Sequence, residues 1–184
     1  MKENELPKRK NTRLQYYDYN SPGAYFITFC VHNRKNMLSR IVGAIQESPE
    51  AKLSEYGVIL DNVIKNLPTH LKATVDCYVI MPNHVHMIIL ITDDEELRAI
   101  RESPLRIRSI LSKLVGYIKM NASKTINKLY GQQKIWQRGY HDHIIRGRSD
   151  YDRIAKYICE NPMTWQYDCF YSKEKIYCKF ALSK

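Results

Sequence analysis

The sequence has no Cys-x-x-Cys pair, and its five cysteines are an odd number: Cys30, Cys77, Cys159, Cys169 and Cys178. Those features argue against a disulfide scaffold and a thiolate zinc site, and they fit a reducing cytoplasm. No apolar run approaches the roughly 18 residues that a membrane span needs. Met1 to Arg13 is polar and charged, so no signal peptide and no membrane partner are expected. No internal repeat and no second domain are visible. Acidic residues are in deficit, with 19 Asp and Glu against 29 Lys and Arg, a net charge of +10. A soluble protein this basic commonly meets a polyanion, and without membrane signals nucleic acid leads. The alternative for the charge is a merely solubilising surface.

What is present suits one compact domain: 184 residues, 44% of them hydrophobic. Residues 1–20 read as a basic arm (Lys8, Arg9, Lys10, Arg13) leading into the aromatic residues Tyr16, Tyr17 and Tyr19. Ser-Pro-Gly at 21–23 opens a strand over Ala24 to His32, rich in aromatic and β-branched residues. A polar turn follows at His32 to Asn36, then a short strand or hairpin within 37–47. Ser54 caps a helix over 54–67, where Val58, Ile59, Val63, Ile64 and Leu67 recur at helical spacing and Pro68 stops it. Ala73 to Met81 and His84 to Ile91 read as an antiparallel hairpin across Pro82-Asn83. After an acidic loop at Asp93 to Glu96, the segment Arg98 to Lys128 carries eight Lys and Arg against Glu102, a net of +7. It reads as a helix with Pro104 in its first turn, one apolar face and one basic face. Lys134 to Arg146 reads as a strand with a bulge. A last helix, capped by Ser149 or Asp150, runs to Glu160 and ends at Asn161-Pro162. The order predicts an α+β fold: a split βαβ antiparallel sheet with helices on one face, plus a late helix.

Two constellations carry chemistry. On a strand, residues two apart share a face, so His84 and His86 project together. Two neutral imidazoles side by side are half of a metal site, or equally an ordinary polar edge. On the late helix, Tyr157 and Asn161 are four apart and share a face. The bland alternative is a half-buried tyrosine and a C-cap. Taken together, two nitrogens and an amide oxygen would leave open metal positions for a phosphate oxygen. Tyr157 would then be placed to attack phosphorus. A free tyrosine has a pKa of about 10 and needs help to ionise. The group that accepts its proton is not legible.

At these residues the chain resembles the HUH single-strand endonucleases, through His84-Val85-His86 after Tyr78 to Asn83. More closely it resembles the single-tyrosine transposases, and among them the REP-associated tyrosine transposases. Four stretches carry the likeness: Tyr16 to Arg34, the His84 motif, Trp136 to Arg146, and Tyr157 to Pro162. The resemblance implies a ferredoxin-like sheet, a Mg²⁺ or Mn²⁺ ion on His84, His86 and Asn161, and Tyr157 rather than Tyr151 as nucleophile. It implies single-stranded hairpin DNA as partner, cleaved to a 5′-phosphotyrosine and a free 3′-OH. Many insertion-sequence relatives carry Gln where this chain has Asn161. Some relatives are dimers that exchange the tyrosine helix and others are monomers, so monomer and homodimer both stay open. On this reading residues 21–165 are the catalytic domain, between the arm at 1–20 and a basic aromatic tail at 166–184. The stretch 163–184 either covers the site or binds DNA.

Candidate DNA-binding residues are Arg34, Arg106, Arg108, Lys113, Lys119, Arg138, His143 and Arg146. Lys and Arg on the long helix are expected to face solvent or phosphate. Trp136 fits the core better than a base-stacking platform. Two other functions compete: a non-catalytic ferredoxin-like nucleic-acid-binding module, and a replication-initiator or relaxase-like nickase with the same chemistry.

Overall fold

The computed structural model describes residues 17–43, 49–92 and 109–171. Its centre is a four-stranded antiparallel sheet made of β1 (Gly23–Cys30), β4 (Ala73–Ile80), β5 (His84–Ile91) and β6 (His141–Ile145), in the order β4-β5-β1-β6. This is the expected ferredoxin-like arrangement, with β5 and β1 central. A separate ribbon pairs β2 (Ser39–Val42) with β3 (Glu50–Leu53).

The sheet has two dry faces of unequal size. Tyr25, Ile27 and Phe29 of β1 and Val85, Met87, Ile89 and Ile91 of β5 alternate onto one face. There they meet α1 (Glu55–Lys65) through Leu60 and Ile64, and α2 (Ile110–Tyr130) through Leu111, Leu114, Ile118, Ala122 and Ile126. The opposite face is smaller. Ile88 and Ile145 pack there on Ile154 and Ile158 of α3 (Arg148–Glu160). The late helix therefore lies on the face away from α1 and α2. Near the start of β1, Tyr17 and Tyr25 share a hydrogen bond of 3.1 Å, and Tyr19 packs beside them.

Ser54 is the α1 cap that the sequence predicts. Its hydroxyl accepts from Gly57 N at 3.1 Å and points at the Met37 and Leu38 carbonyls, 2.6 and 2.8 Å away. That clasp presses the helix start onto the backbone before β2. A Cβ on Gly57 would meet Leu38 O at 2.1 Å. Gly57→Ala is expected to destabilise the fold by about 3 kcal/mol, an overpacking cost against backbone that cannot turn aside. Urea denaturation should show a lower midpoint at unchanged slope.

Several boundaries differ from expectation. The described part of the long helix starts at Ile110, with Ser109 accepting from Ser112 N as its cap. Pro104, Arg106 and Arg108 lie outside the described residues. The strand expected over 134–146 is shortened to β6, because Gly139 takes a positive φ of 79° and turns the chain. Before it, only a single bridge, Val31 to Trp136, joins the segment to the sheet. The late helix is preceded by Gly147 at φ 83°, not by a Ser149 or Asp150 cap, and starts at Arg148. Asn161 keeps helical angles (φ −56°, ψ −39°) despite the proline that follows. The chain tightens there into turns, with Thr164 N donating to Glu160 O and Asn161 O.

Candidate active site

The two-residue period of β5 sends His84 and His86 to the α3 face, beside Ile88. Both imidazoles are buried, and their Nε2 atoms lie 2.9 Å apart. Their outer nitrogens are held from behind. Asn83 Oδ1 sits 2.9 Å from His84 Nδ1, and its Nδ2 donates to the carbonyls of Arg34 and Phe170, which fixes the amide's orientation. An amide oxygen only accepts, so His84 carries its proton on Nδ1 and presents a lone pair at Nε2. Thr28, directly opposite His86 in the β1–β5 register, places Oγ1 at 2.7 Å from His86 Nδ1.

Burial drives both imidazoles toward the neutral form. His84 falls well below the ordinary histidine range, through burial and the neighbouring His86 and Arg34. Burial takes His86 down to about 4, with the Asp168 carboxylate opposing. A histidine that stays neutral when folded but binds a proton when unfolded weakens the fold as pH drops. Stability of the metal-free protein should therefore fall as pH is lowered from about 6.5 toward about 4, by about 1.4 kcal/mol per pH unit for each proton taken up on unfolding. Denaturation midpoints at pH 7, 6 and 5 measure this, and the double variant His84→Asn, His86→Asn should flatten the dependence.

On α3, the spacing that buries Ile154 and Ile158 turns Tyr157 and Asn161 along the neighbouring stripe. The Tyr157 hydroxyl lies 3.2 Å from His86 Nε2 and 3.4 Å from Asp168 Oδ2. Its ring meets the edge of Phe26 at 6.1 Å between centroids. Burial, with the Asp168 carboxylate second, pushes the phenol up to about 12. Asn161 is fully buried. Its Nδ2 donates to Asp168 Oδ2 at 3.1 Å, whereas its Oδ1 has no hydrogen-bond partner among the described residues. Tyr151, on the same helix, is engaged elsewhere: its hydroxyl donates to Asp76 of β4.

Asp168 is the site residue that the sequence reading missed. It follows the turns after Pro162, in the stretch read as tail, and no periodic pattern points to it. Ligand atoms of His84, His86 and Asp168 all lie within 4.8 Å of one another. The next residues roof the imidazoles. Phe170 stands 4.6 Å from the His84 ring, Trp165 is 5.8 Å from it, and Arg34 lies over Phe170 at 5.1 Å while donating to Cys169 O. Two imidazole nitrogens, a carboxylate and an unpartnered buried amide oxygen form a donor set that suits a hard-to-borderline divalent cation.

The other candidate residues are spread more widely. His143 is on the same sheet face as Phe26, its partner in register, and its Nε2 is 2.9 Å from Asp150 Oδ2. Arg138 and Arg146 are exposed at either end of β6. Lys113 is exposed on α2, across the sheet from the imidazoles. Lys119, expected to face solvent or phosphate, instead donates to the carbonyls of Gln137 and Gly139 at 3.0 and 2.5 Å and lies over the Phe29 ring. Burial lowers its pKa to about 8. Trp136 packs its edge on Phe29 and donates Nε1–H to Lys119 O, so it is part of the core wall.

No family profile matches the chain. It is 30% identical over 174 residues to an uncharacterised Haemophilus influenzae protein, spanning 89% of this chain and 93% of that one. A second Haemophilus influenzae protein, provisionally named a REP-associated tyrosine transposase, is 24% identical over 169 residues, 86% of this chain and 85% of its own length. Among solved structures, a REP-associated tyrosine transposase bound to a REP hairpin superposes with a TM-score of 0.57 at 20% identity, covering 85% of this chain and 76% of that one. Among the described residues, no helix is long and apolar enough to cross a membrane.

Proposed function

We propose that the chain is a REP-associated tyrosine transposase, on its likeness to the proteins above, and that it cuts and rejoins single-stranded DNA beside hairpins, through Tyr157 and a divalent metal. The observation that carries this reading is the 3.2 Å approach of the Tyr157 hydroxyl to His86 Nε2. It puts a nucleophilic oxygen at the edge of a buried imidazole pair whose outer nitrogens are held from behind by Asn83 and Thr28.

His84, His86 and Asp168 would hold a Mg²⁺ or Mn²⁺ ion, with Asn161 Oδ1 as a further oxygen. When bound, such an ion would offset the Asp168 charge, polarise a phosphate oxygen and ease loss of the phenolic proton. The protein's own groups do the rest. Tyr157 Oη attacks phosphorus, the Oη–P bond forms and the P–O3′ bond breaks. Overall the phenolic proton ends on the departing 3′-oxygen. The phosphodiester energy is kept in the tyrosyl ester, so a 3′-OH can reverse the step without ATP. Asn83 and Thr28 keep the imidazoles oriented. The site is assembled within one chain, which suits a monomer acting in cis. Arg34 and His143 are the DNA contacts this reading favours, being beside or on the imidazole face, with the exposed Arg138 and Arg146 near the ends of β6 as further candidates. Lys113 would meet only DNA that wraps to the far side.

A 3′-labelled hairpin oligonucleotide with a single-stranded flank tests the proposal. The label should stay with the protein through denaturation, only when Mn²⁺ or Mg²⁺ is present, and a free 3′-OH should appear on the other fragment. Tight binding of the same DNA with no denaturant-resistant product under either metal would favour the non-catalytic module instead.

A further inference from the structure

Beside the imidazole site is a cavity of about 430 Å³, within the range of about 300–1,000 Å³ of pockets that take small ligands. One wall is β2 and the residues before it, with Asn36, Ser39 and Arg40. The other comes from the turns after α3, with Met163, Trp165 and Tyr171. Trp165 is the shared partition: its ring is 5.8 Å from His84 and 5.3 Å from Tyr171. Pro82 and Pro162, neighbours of the histidine motif and of Asn161, also line it. The cavity is therefore next to the place where a scissile phosphate would sit.

Its lining is mixed in a way that suits a flat heteroaromatic group. Ser39 is only 2% exposed, yet its hydroxyl has no hydrogen-bond partner among the described residues. A buried hydroxyl normally finds one. At the mouth, Tyr171 and Met163 are 39% and 47% exposed and offer apolar faces, and Arg40 is exposed on the strand that carries Ser39. Stacking faces, one buried polar atom and a cation at the rim are the parts of a site for an unpaired base on a phosphodiester chain.

We propose that this cavity receives the nucleobase next to the scissile phosphate, with Ser39 Oγ hydrogen-bonding the base edge and Tyr171 and Met163 against its faces. The inference rests on the single-strand cleavage reading for the position of the phosphate. The cavity would thus set which bond is cut, by seating one flanking base.

Hairpin oligonucleotides carrying one abasic position at each of the nucleotides around the nick would be bound to the protein in the absence of metal and followed by fluorescence anisotropy. One flanking position should lose about tenfold in affinity when its base is removed, as expected for a stacked, bonded base. Met163→Trp, which fills the mouth, should weaken the intact oligonucleotide similarly and leave the abasic one unchanged. Ser39→Ala should level the preference among the four bases at that position. Circular dichroism establishes that both variants are folded. An abasic scan with no sensitive position, or an unchanged abasic penalty and base preference in both variants, overturns the proposal. Because binding is read without metal, this result stands apart from failure of the covalent chemistry, which the labelled adduct reports.

Discussion

Tyr157→Phe is expected to abolish the covalent protein–DNA adduct, lowering its yield by more than about 10³-fold, since no other oxygen nucleophile shares its place. The hydroxyl lies against His86 Nε2 and Asp168 Oδ2. The ring's packing on Phe26 survives the change. Stability should move by no more than about 0.5–1.5 kcal/mol, one hydrogen bond's worth, and hairpin affinity should be nearly unchanged. Denaturing gels with 3′-labelled DNA read the adduct, and anisotropy reads the binding. Tyr151→Phe is the matched control. It lies six residues earlier on α3, and its hydroxyl is spent on Asp76, so its loss should leave the adduct intact. If Y157F still becomes covalently linked to DNA, the nucleophile is another residue and the proposed chemistry is wrong.

The second large effect is on metal binding. The double variant His84→Ala, His86→Ala should lose Mn²⁺ affinity by more than about 100-fold, beyond the 10- to 100-fold typical of removing an outer-shell partner. Asp168→Ala should also lose affinity, because its carboxylate shares the cluster and supplies the only negative charge in it. Asn161→Ala should cost less, being one neutral oxygen among four donors. Calorimetric or electron-paramagnetic titration with Mn²⁺ measures each. A linked readout is stability: Mn²⁺ at about 100 times its Kd should raise the unfolding free energy of the unmodified protein by about 2.7 kcal/mol and that of the double variant hardly at all. Unaltered Mn²⁺ affinity in the double variant would place the metal elsewhere.

Much of this site was legible because its parts obey local periodicities. His84 and His86 share a face of β5 by the pleat, and Tyr157 and Asn161 share a stripe of α3 by the helical repeat. The hairpin β4–β5 and the Ser54 cap were equally readable, because short connections and capping residues act within a few positions. The misread boundaries at 134–140 and 147–150 came from Gly139 and Gly147, whose positive φ angles end one element and open the next. Side-chain capping rules do not foresee a turn made by backbone alone.

The sequence by itself determined most of the elements, though not β3 at Glu50–Leu53, together with their amphipathic faces and the pairing of chemical groups within each element. Only the tertiary structure decided that α3 covers the face opposite α1 and α2. It also decided that Thr28 stands behind His86, that Lys119 turns inward, and that Asp168 and Phe170 return over the imidazoles. The physical reason is range. A face is set by the rotation per residue, which any short window contains. A contact between residues 84 and 168 depends on strand order, on two intervening helices and on the turns after Pro162, none of which leaves a period in the chain.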